Sequence, residues 1–372
     1  MRNKMLKLII VAIGSFSFSV MAASPSTYFQ VKQTVERSSS KDLVKVINDL
    51  IKASAPSRMV GQPGHEGAKN FILQSLKAYD PKESGKTSVI DFAPDTEEAR
   101  RFYQDDLNKK FEGQSKASAE YQKWFGFVRT LMSHIDRLKD QKASNIVWEK
   151  QGINTNKMLV ITAHYDTINL DTTKMIIPEK DPAPGANYNA SGVSVALNLV
   201  KALSQIDLNY SVRVVFLDWQ ALGYLGSFQY AKELKSWAQA PKEIMGVVNL
   251  EMLGQDTSFL DRTKKSGNMA IYLRSDAREE AWVRKLVAHG SQVEKKVSFE
   301  IKPNNFDQSD TFRFWDQGLI AATFSQNWED DFNPKFYQNK QDTSETLNHE
   351  TLYGSYRFIG GAVLSTLLDI TR

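Results

Sequence analysis

The side chains able to do chemistry fall in a few short segments. VITAHYDT carries His164 and Asp166, and PGANYNASG carries Asn187, Tyr188 and Asn189. FLDWQALG carries Asp218, Gln220 and Ala221, and NLEMLG carries Glu251. QSDTF adds Asp310, and NWEDDFNPKFYQNKQDTSETLN adds Tyr337, Gln338, Asp342 and Thr343. Four of these segments end apolar strands, where open α/β sheets bind their ligands. Imidazole and carboxylate groups there suit metal binding or proton transfer. Other schemes are excluded. The chain has no Cys, so no thiol nucleophile. No Gly-x-Ser-x-Gly elbow occurs. The Gly/Asn-rich loop lacks the Lys and the spacing of a phosphate loop.

Taken in order, these segments resemble the co-catalytic zinc aminopeptidases, a family that includes bacterial leucyl aminopeptidases and glutaminyl cyclases. The resemblance covers roughly residues 60–92 and 144–370. It implies that His164 binds one zinc and that Asp166 orients it. It places a bridging carboxylate at Tyr188, the general base at Gln220 and a zinc-binding Glu at Ala221. Glu251 is the carboxylate ligand of the next strand. The last His falls on Gln338 counting back from Asp342, or on Tyr337 counting forward from Pro334. Only His164 and Glu251 survive as ligand remnants. Zinc needs three or four such donors, and two zincs about 3.5–4 Å apart need a shared anion. A neutral Tyr replaces that anion poorly, Gln cannot accept a proton from water, and Ala offers no donor. The substitutions are mutually consistent, because clustered carboxylates without metal would repel and lie buried unpaired.

Asn187, Asn189, Asp218 and Asp310 remain as cleft candidates. Asp310 reads as a helix cap, Asp342 and Thr343 as turn-fixing residues, and Ser191 as a helix start. His65, His134, His289 and His349 fall outside the motifs and read as surface residues.

Alternating strands and helices must position these groups. SNIVWEK, KMLVITAH, SVRVVFLD, IMGVVNLEML, NMAIYLRS, VSFEIK and LIAATFSQ read as strands, preceded by TSVIDFA. Residues 189–206, 226–238, 277–290 and about 350–370 read as helices, and SDTFRFWDQG is helical. Near-continuous apolar strands between helices predict a sheet buried on both faces. The fold class is therefore α/β: a three-layer sandwich with a central mixed, mostly parallel sheet. Residues 23–372 form one domain with a helical insertion at about 94–143. Within the insertion, Tyr121, Trp124, Val128, Leu131, Ile135 and Leu138 recur at three- and four-residue steps and make one apolar face. That face either packs on the main body or serves as a lid or partner-docking surface. Residues 23–60 read as a lead with one helix, SSKDLVKVINDLIKAS.

MRNKMLK, an apolar run and VMA read as a signal peptide over residues 1–22. The expected location is the bacterial periplasm or the medium, with no stable membrane anchor. That segment holds three of the 47 basic residues and none of the 43 acidic ones, so the formal charge of +4 falls to near neutrality beyond it. Nothing electrostatic suggests nucleic acid. The expected function is an exported, inactive pseudopeptidase with no cofactor, binding a peptide, protein or small ligand in the cleft or at the insertion. The alternative is a metallo-aminopeptidase with an atypical zinc site.

Overall fold

The structure, a computed structural model, describes residues 25–171, 173–256, 269–329, 331–332 and 334–370. The expected signal peptide lies outside the described residues. One sheet contains β1 (Lys86–Phe92), β2 (Ala143–Lys150), β3 (Asn154–His164), β4 (Tyr210–Leu217), β5 (Glu243–Leu250), β6 (Met269–Tyr272), β7 (Phe299–Lys302) and β8 (Ala321–Ser325). The strand order is β1-β2-β4-β3-β5-β8-β6-β7. The central pairings β4–β3, β3–β5 and β5–β8 are parallel, as is β6–β7. Pairings β1–β2, β2–β4 and β6–β8 are antiparallel, so the sheet is mixed as expected.

Strand periodicity sorts the apolar side chains onto two faces. On β3, Leu159, Ile161 and Ala163 face one layer, while Met158 and Val160 face the other. The first layer is built from α1 (Pro25–Val35), α2 (Ser40–Ala53), α3 (Pro63–Tyr79), α6 (Ser191–Leu203), α8 (Ala277–Val293) and α10 (His349–Leu367). The second contains α7 (Leu225–Trp237) and α9 (Thr311–Asp316). Helix α6 is apolar nearly all round because it sits inside its layer: of its 13 residues, only Lys201 is not buried. Helix α2 starts at a capping box, in which Asp42 N–H donates to Ser39 Oγ and Ser39 N–H donates to Asp42 Oδ2.

Two helices, α4 (Thr96–Lys110) and α5 (Ala119–Arg137), lie between β1 and β2. The apolar face of α5 divides its contacts. Leu131 and Ile135 join Met59, Val60 and Trp219 on the main body. Tyr121 and Val128 pack with Leu107 and Phe111, from α4 and its end. The N-terminal lead departs from expectation, because α1 precedes α2. Its sequence, PSTYFQVKQTV, has β-branched and polar residues of modest helix propensity. Burial of Val31 and Val35 in the core shared with α10 holds it in place. Among the described residues, no helix is long and apolar enough to cross a membrane.

Candidate functional site

Parallel pairing brings the candidate residues together. His164 ends β3 opposite Leu217 of β4, and Thr162 of β3 pairs with Asn249 of β5. Two residues past Asn249, Glu251 comes level with His164 on the neighbouring strand. His164 Nε2 lies 3.7 Å from Glu251 Oε1, and both residues are buried. His164 Nδ1 is 3.1 Å from the backbone carbonyl of Asp166 and 3.5 Å from its carboxylate. Asp166 therefore orients His164 chiefly through its main chain. Its carboxylate accepts the backbone N–H groups of Gln220 and Ala221, each at 3.0 Å.

That double contact depends on the turn after β4. Trp219 takes a left-handed conformation, with φ of 54°, and turns the next two amides towards Asp166. The start of α7 then folds tightly under the turn, where Gly226 N–H donates to the Asp218 carbonyl. A Cβ on Gly226 would sit 2.1 Å from that carbonyl oxygen, so only glycine fits. The LeuGlySer stretch is thus a packing requirement of the turn that presents Gln220 and Ala221.

Tyr188 is presented by a loop held from two sides. Asp342 accepts the N–H groups of Asn187 at 2.8 Å and Tyr188 at 2.9 Å. Asp342 thus fixes this distant loop as well as its own turn. Burial lifts its carboxyl to about 6, against the pull of those N–H groups and Arg58. Arg58, fully buried, donates to the carbonyls of Tyr165, Pro184, Gly185 and Tyr188. Burial lowers its pKa to about 10, opposed by Asp342 and Asp166. No motif marks Arg58; its role follows from contacts more than 100 positions away in sequence.

A hydrogen-bonded chain crosses the site. Tyr188 hydroxyl donates to Gln220 Oε1 at 2.5 Å, and Gln220 Nε2 donates to Glu251 Oε1 at 3.3 Å. Burial, then the neighbouring Tyr337, Tyr224 and Glu251, hold the Tyr188 hydroxyl well above its ordinary pKa, so it is neutral. Burial pushes Glu251 up to about 8, even though His164 pulls it down. Burial also opposes charge on His164, but Asp166, Glu251 and Asp310 outweigh it and raise the imidazole pKa. Among the described residues, His164 Nε2 and Glu251 Oε2 have no hydrogen-bond partner.

These residues do not fit a pair of zinc ions. The position expected for a shared anion holds a neutral phenol whose proton is committed to Gln220. Ala221 has no donor atom. Tyr337 packs its ring edge-on to Tyr188, with centroids 5.3 Å apart, and it too is neutral because burial raises its pKa. Gln338 lies beside it, in a left-handed conformation with φ of 50°. Among the described residues, no three His, Cys, Asp or Glu side chains gather as a metal-holding group.

Other candidates sit elsewhere. Asp218 is not a cleft residue: it binds His65 Nε2 at 2.7 Å and the N–H groups of Ser144 and Trp219. His65 also stacks on Tyr165, and His134 is buried against Glu179, so neither is a plain surface residue. His289 lies 2.8 Å from the Tyr28 hydroxyl, and His349 is exposed at the start of α10. Asn187 bonds Gln326 and Gly254 N–H, while Asn189 bonds the Leu250 carbonyl and Met252 N–H. Both staple loops together and leave the cleft to Tyr188. Ser191, as expected, begins α6. Asp310 precedes α9 but makes no cap hydrogen bond; it lies fully buried, lifted to about 6 by burial despite nearby His164.

A cavity of about 760 Å³ opens above Tyr188, Gln220 and Ala221. Helices α4 and α5 line it with Phe102, Tyr103, Leu107, Trp124, Phe127, Val128 and Leu131. They are fastened to the body: Tyr103 hydroxyl donates to the Ala221 carbonyl at 2.9 Å, and Arg313 bridges Glu98 at 2.6 Å and the Gly223 carbonyl at 2.9 Å. The apolar spacing of α5 marked a buried face, but its contribution to a cavity wall was not readable from spacing.

Comparison with known proteins agrees with this architecture. The family model described as peptidase family M28 matches residues 145–360. Aminopeptidase YwaD of Bacillus subtilis is 24% identical over 230 residues, covering 60% of this chain and 45% of that protein. The chain thus spans under half the length of that relative. Among solved structures, the aminopeptidase from Aneurinibacillus sp. strain AM-1 aligns with a TM-score of 0.62 at 18% identity, covering 92% of this chain and 98% of its own. BSAP, a zinc aminopeptidase from Bacillus subtilis, aligns with a TM-score of 0.61 at 18% identity, covering 88% and 95%.

Proposed function

The chain belongs to peptidase family M28, and from that premise we propose that it is a non-hydrolysing member, a pseudopeptidase that binds a ligand in the old cleft. The observation that carries this reading is the Tyr188–Gln220–Glu251 hydrogen-bonded chain. It occupies the positions where the family resemblance expects a bridging carboxylate, a base and a ligand. None of its first two members accepts a proton from water near neutral pH. The reading includes export to the bacterial periplasm or medium, supported by the basic, apolar and small-residue pattern of residues 1–22.

A second reading, a metallo-aminopeptidase with one atypical cation, draws on His164 Nε2 and Glu251 Oε2, both buried and without hydrogen-bond partners among the described residues. One experiment separates them: untagged mature protein is analysed for bound zinc and assayed on leucine p-nitroanilide with and without added zinc. The proposal expects substoichiometric zinc and no turnover. Stoichiometric zinc with turnover refutes it. A companion set combines Tyr188→Asp, Gln220→Glu and Ala221→Glu with either Tyr337→His or Gln338→His. Zinc binding is expected in the Tyr337→His set, because that side chain faces Tyr188. Binding only in the Gln338→His set would reverse the placement.

A further inference from the structure

The floor of the cavity is made by Tyr188, Gln220 and Ala221, three uncharged residues. The carboxylates of Asp166 and Glu251 lie near it, but neither is offered to a ligand at the floor. Asp166 is fully buried, and each of its carboxylate oxygens accepts a backbone N–H. Glu251 is 1% exposed, does not line the cavity, and has Gln220 between it and the Tyr188 hydroxyl. A cationic amine reaching this floor would lose its water shell and meet no anion, which is costly. The walls are apolar and aromatic, chiefly Phe102, Trp124, Phe127, Leu131 and Tyr337. The rim carries Lys109 paired with Asp307, Asp106 bonded to Gln308, and Lys110 over the Trp124 ring at 4.6 Å. Two lysines and two aspartates leave it without a dominant sign of charge. The roof helices α4 and α5 precede the residues matched by the family model.

We infer that the cavity receives an uncharged ligand with a bulky apolar or aromatic body, such as an N-blocked hydrophobic residue, and rejects a free α-amine. This rests on the non-hydrolysing reading and names its ligand class. The volume falls within the range of small-molecule sites, about 300–1,000 Å³.

The probe is N-phenyl-1-naphthylamine, a neutral dye that brightens in apolar surroundings, titrated into the full mature protein at pH 6. There the α-amine of phenylalaninamide is mostly charged, below its usual pKa of about 7.7–8.0. Saturable dye binding is expected, with displacement by N-acetylphenylalaninamide at concentrations at least ~10-fold lower than by phenylalaninamide. Trp124→Ala should weaken the dye by roughly tenfold. Ala221→Glu, at a partly exposed position lining the cavity, should weaken the dye and narrow or reverse the preference between the two amides. Unfolding curves check that both variants remain folded. No saturable binding, equal displacement by the two amides, or unchanged dye affinity in folded Trp124→Ala overturns the inference. Zinc content and peptidase turnover are separate readouts, so a failure of the non-hydrolysing reading is recognised independently of this one.

Discussion

Replacing Glu251 by Gln tests the electrostatics of the site most directly. The carboxylate is buried, one oxygen has no partner among the described residues, and the other accepts the Gln220 amide at 3.3 Å. Burial raises its pKa from 4.5 in the free chain to about 8 in the fold. Below about 4.5 the group is protonated in both states and costs nothing. As pH rises towards 8, the unfolded chain releases this proton while the folded chain keeps it, so stability falls with rising pH. At ~1.4 kcal/mol per unit, the full shift corresponds to roughly 5 kcal/mol, and the loss levels off above about pH 8. His164, whose pKa is also raised, titrates in contact with Glu251, so the loss belongs to the pair and has the same sign. Glu251→Gln keeps the shape and the acceptor for Gln220 but removes the charge. Urea unfolding in EDTA at pH 5, 7 and 9 should find the two proteins nearly equal at pH 5. By pH 9 the variant should be more stable by about 2–5 kcal/mol. The reasoning is refuted if both proteins show the same pH slope, or if the variant is the weaker at pH 9. A bound cation would hold Glu251 ionised and reverse the sign, so repeating the series with zinc also bears on the metal reading.

Asp166→Ala should cost about 2–4 kcal/mol in urea unfolding, because it strands the buried N–H groups of Gln220 and Ala221. Gly226→Ala should cost several kcal/mol or prevent folding, since the new Cβ meets the Asp218 carbonyl at 2.1 Å; thermal unfolding measures it, and a loss under about 1 kcal/mol would contradict the geometry. Arg58→Met leaves the carbonyls of Tyr165 and Pro184 without their donor and takes one of two donors from Gly185 and Tyr188, so a loss of about 3 kcal/mol or more is expected from denaturant curves. Arg313→Met should release α4 from Gly223 and Glu98, seen as faster hydrogen exchange over residues 96–110 with the core unchanged.

Much of the site was legible because strand ends in a parallel sheet are predictable places for polar residues. His164, Tyr188, Gln220, Ala221 and Glu251 were identified in order along the chain, and the β4-β3-β5 neighbourhood sets them side by side. Asp218 misled because a carboxylate at the end of β4 reads as a cleft residue. The local turn instead sends it to His65, 153 positions away. Asn187 and Asn189 misled similarly, since loop amides staple loops as readily as they contact ligands. Asp310 stands where a helix cap would, yet takes a helical backbone conformation that leaves its side chain off the first N–H groups.

What the residue order settled is chemical: which donors remain, which are replaced by Tyr, Gln and Ala, and that alternating apolar segments build an α/β sheet. Those follow from residue type and local period, which need no knowledge of distant contacts. The arrangement of those groups came from tertiary packing. Parallel register set His164 against Glu251, Asp342 and Arg58 pinned the Tyr188 loop, and α4 with α5 roofed the cavity. Each of these depends on groups far apart in the chain meeting in a buried, water-poor space, where an unpaired charge or polar group is too costly to leave unsatisfied.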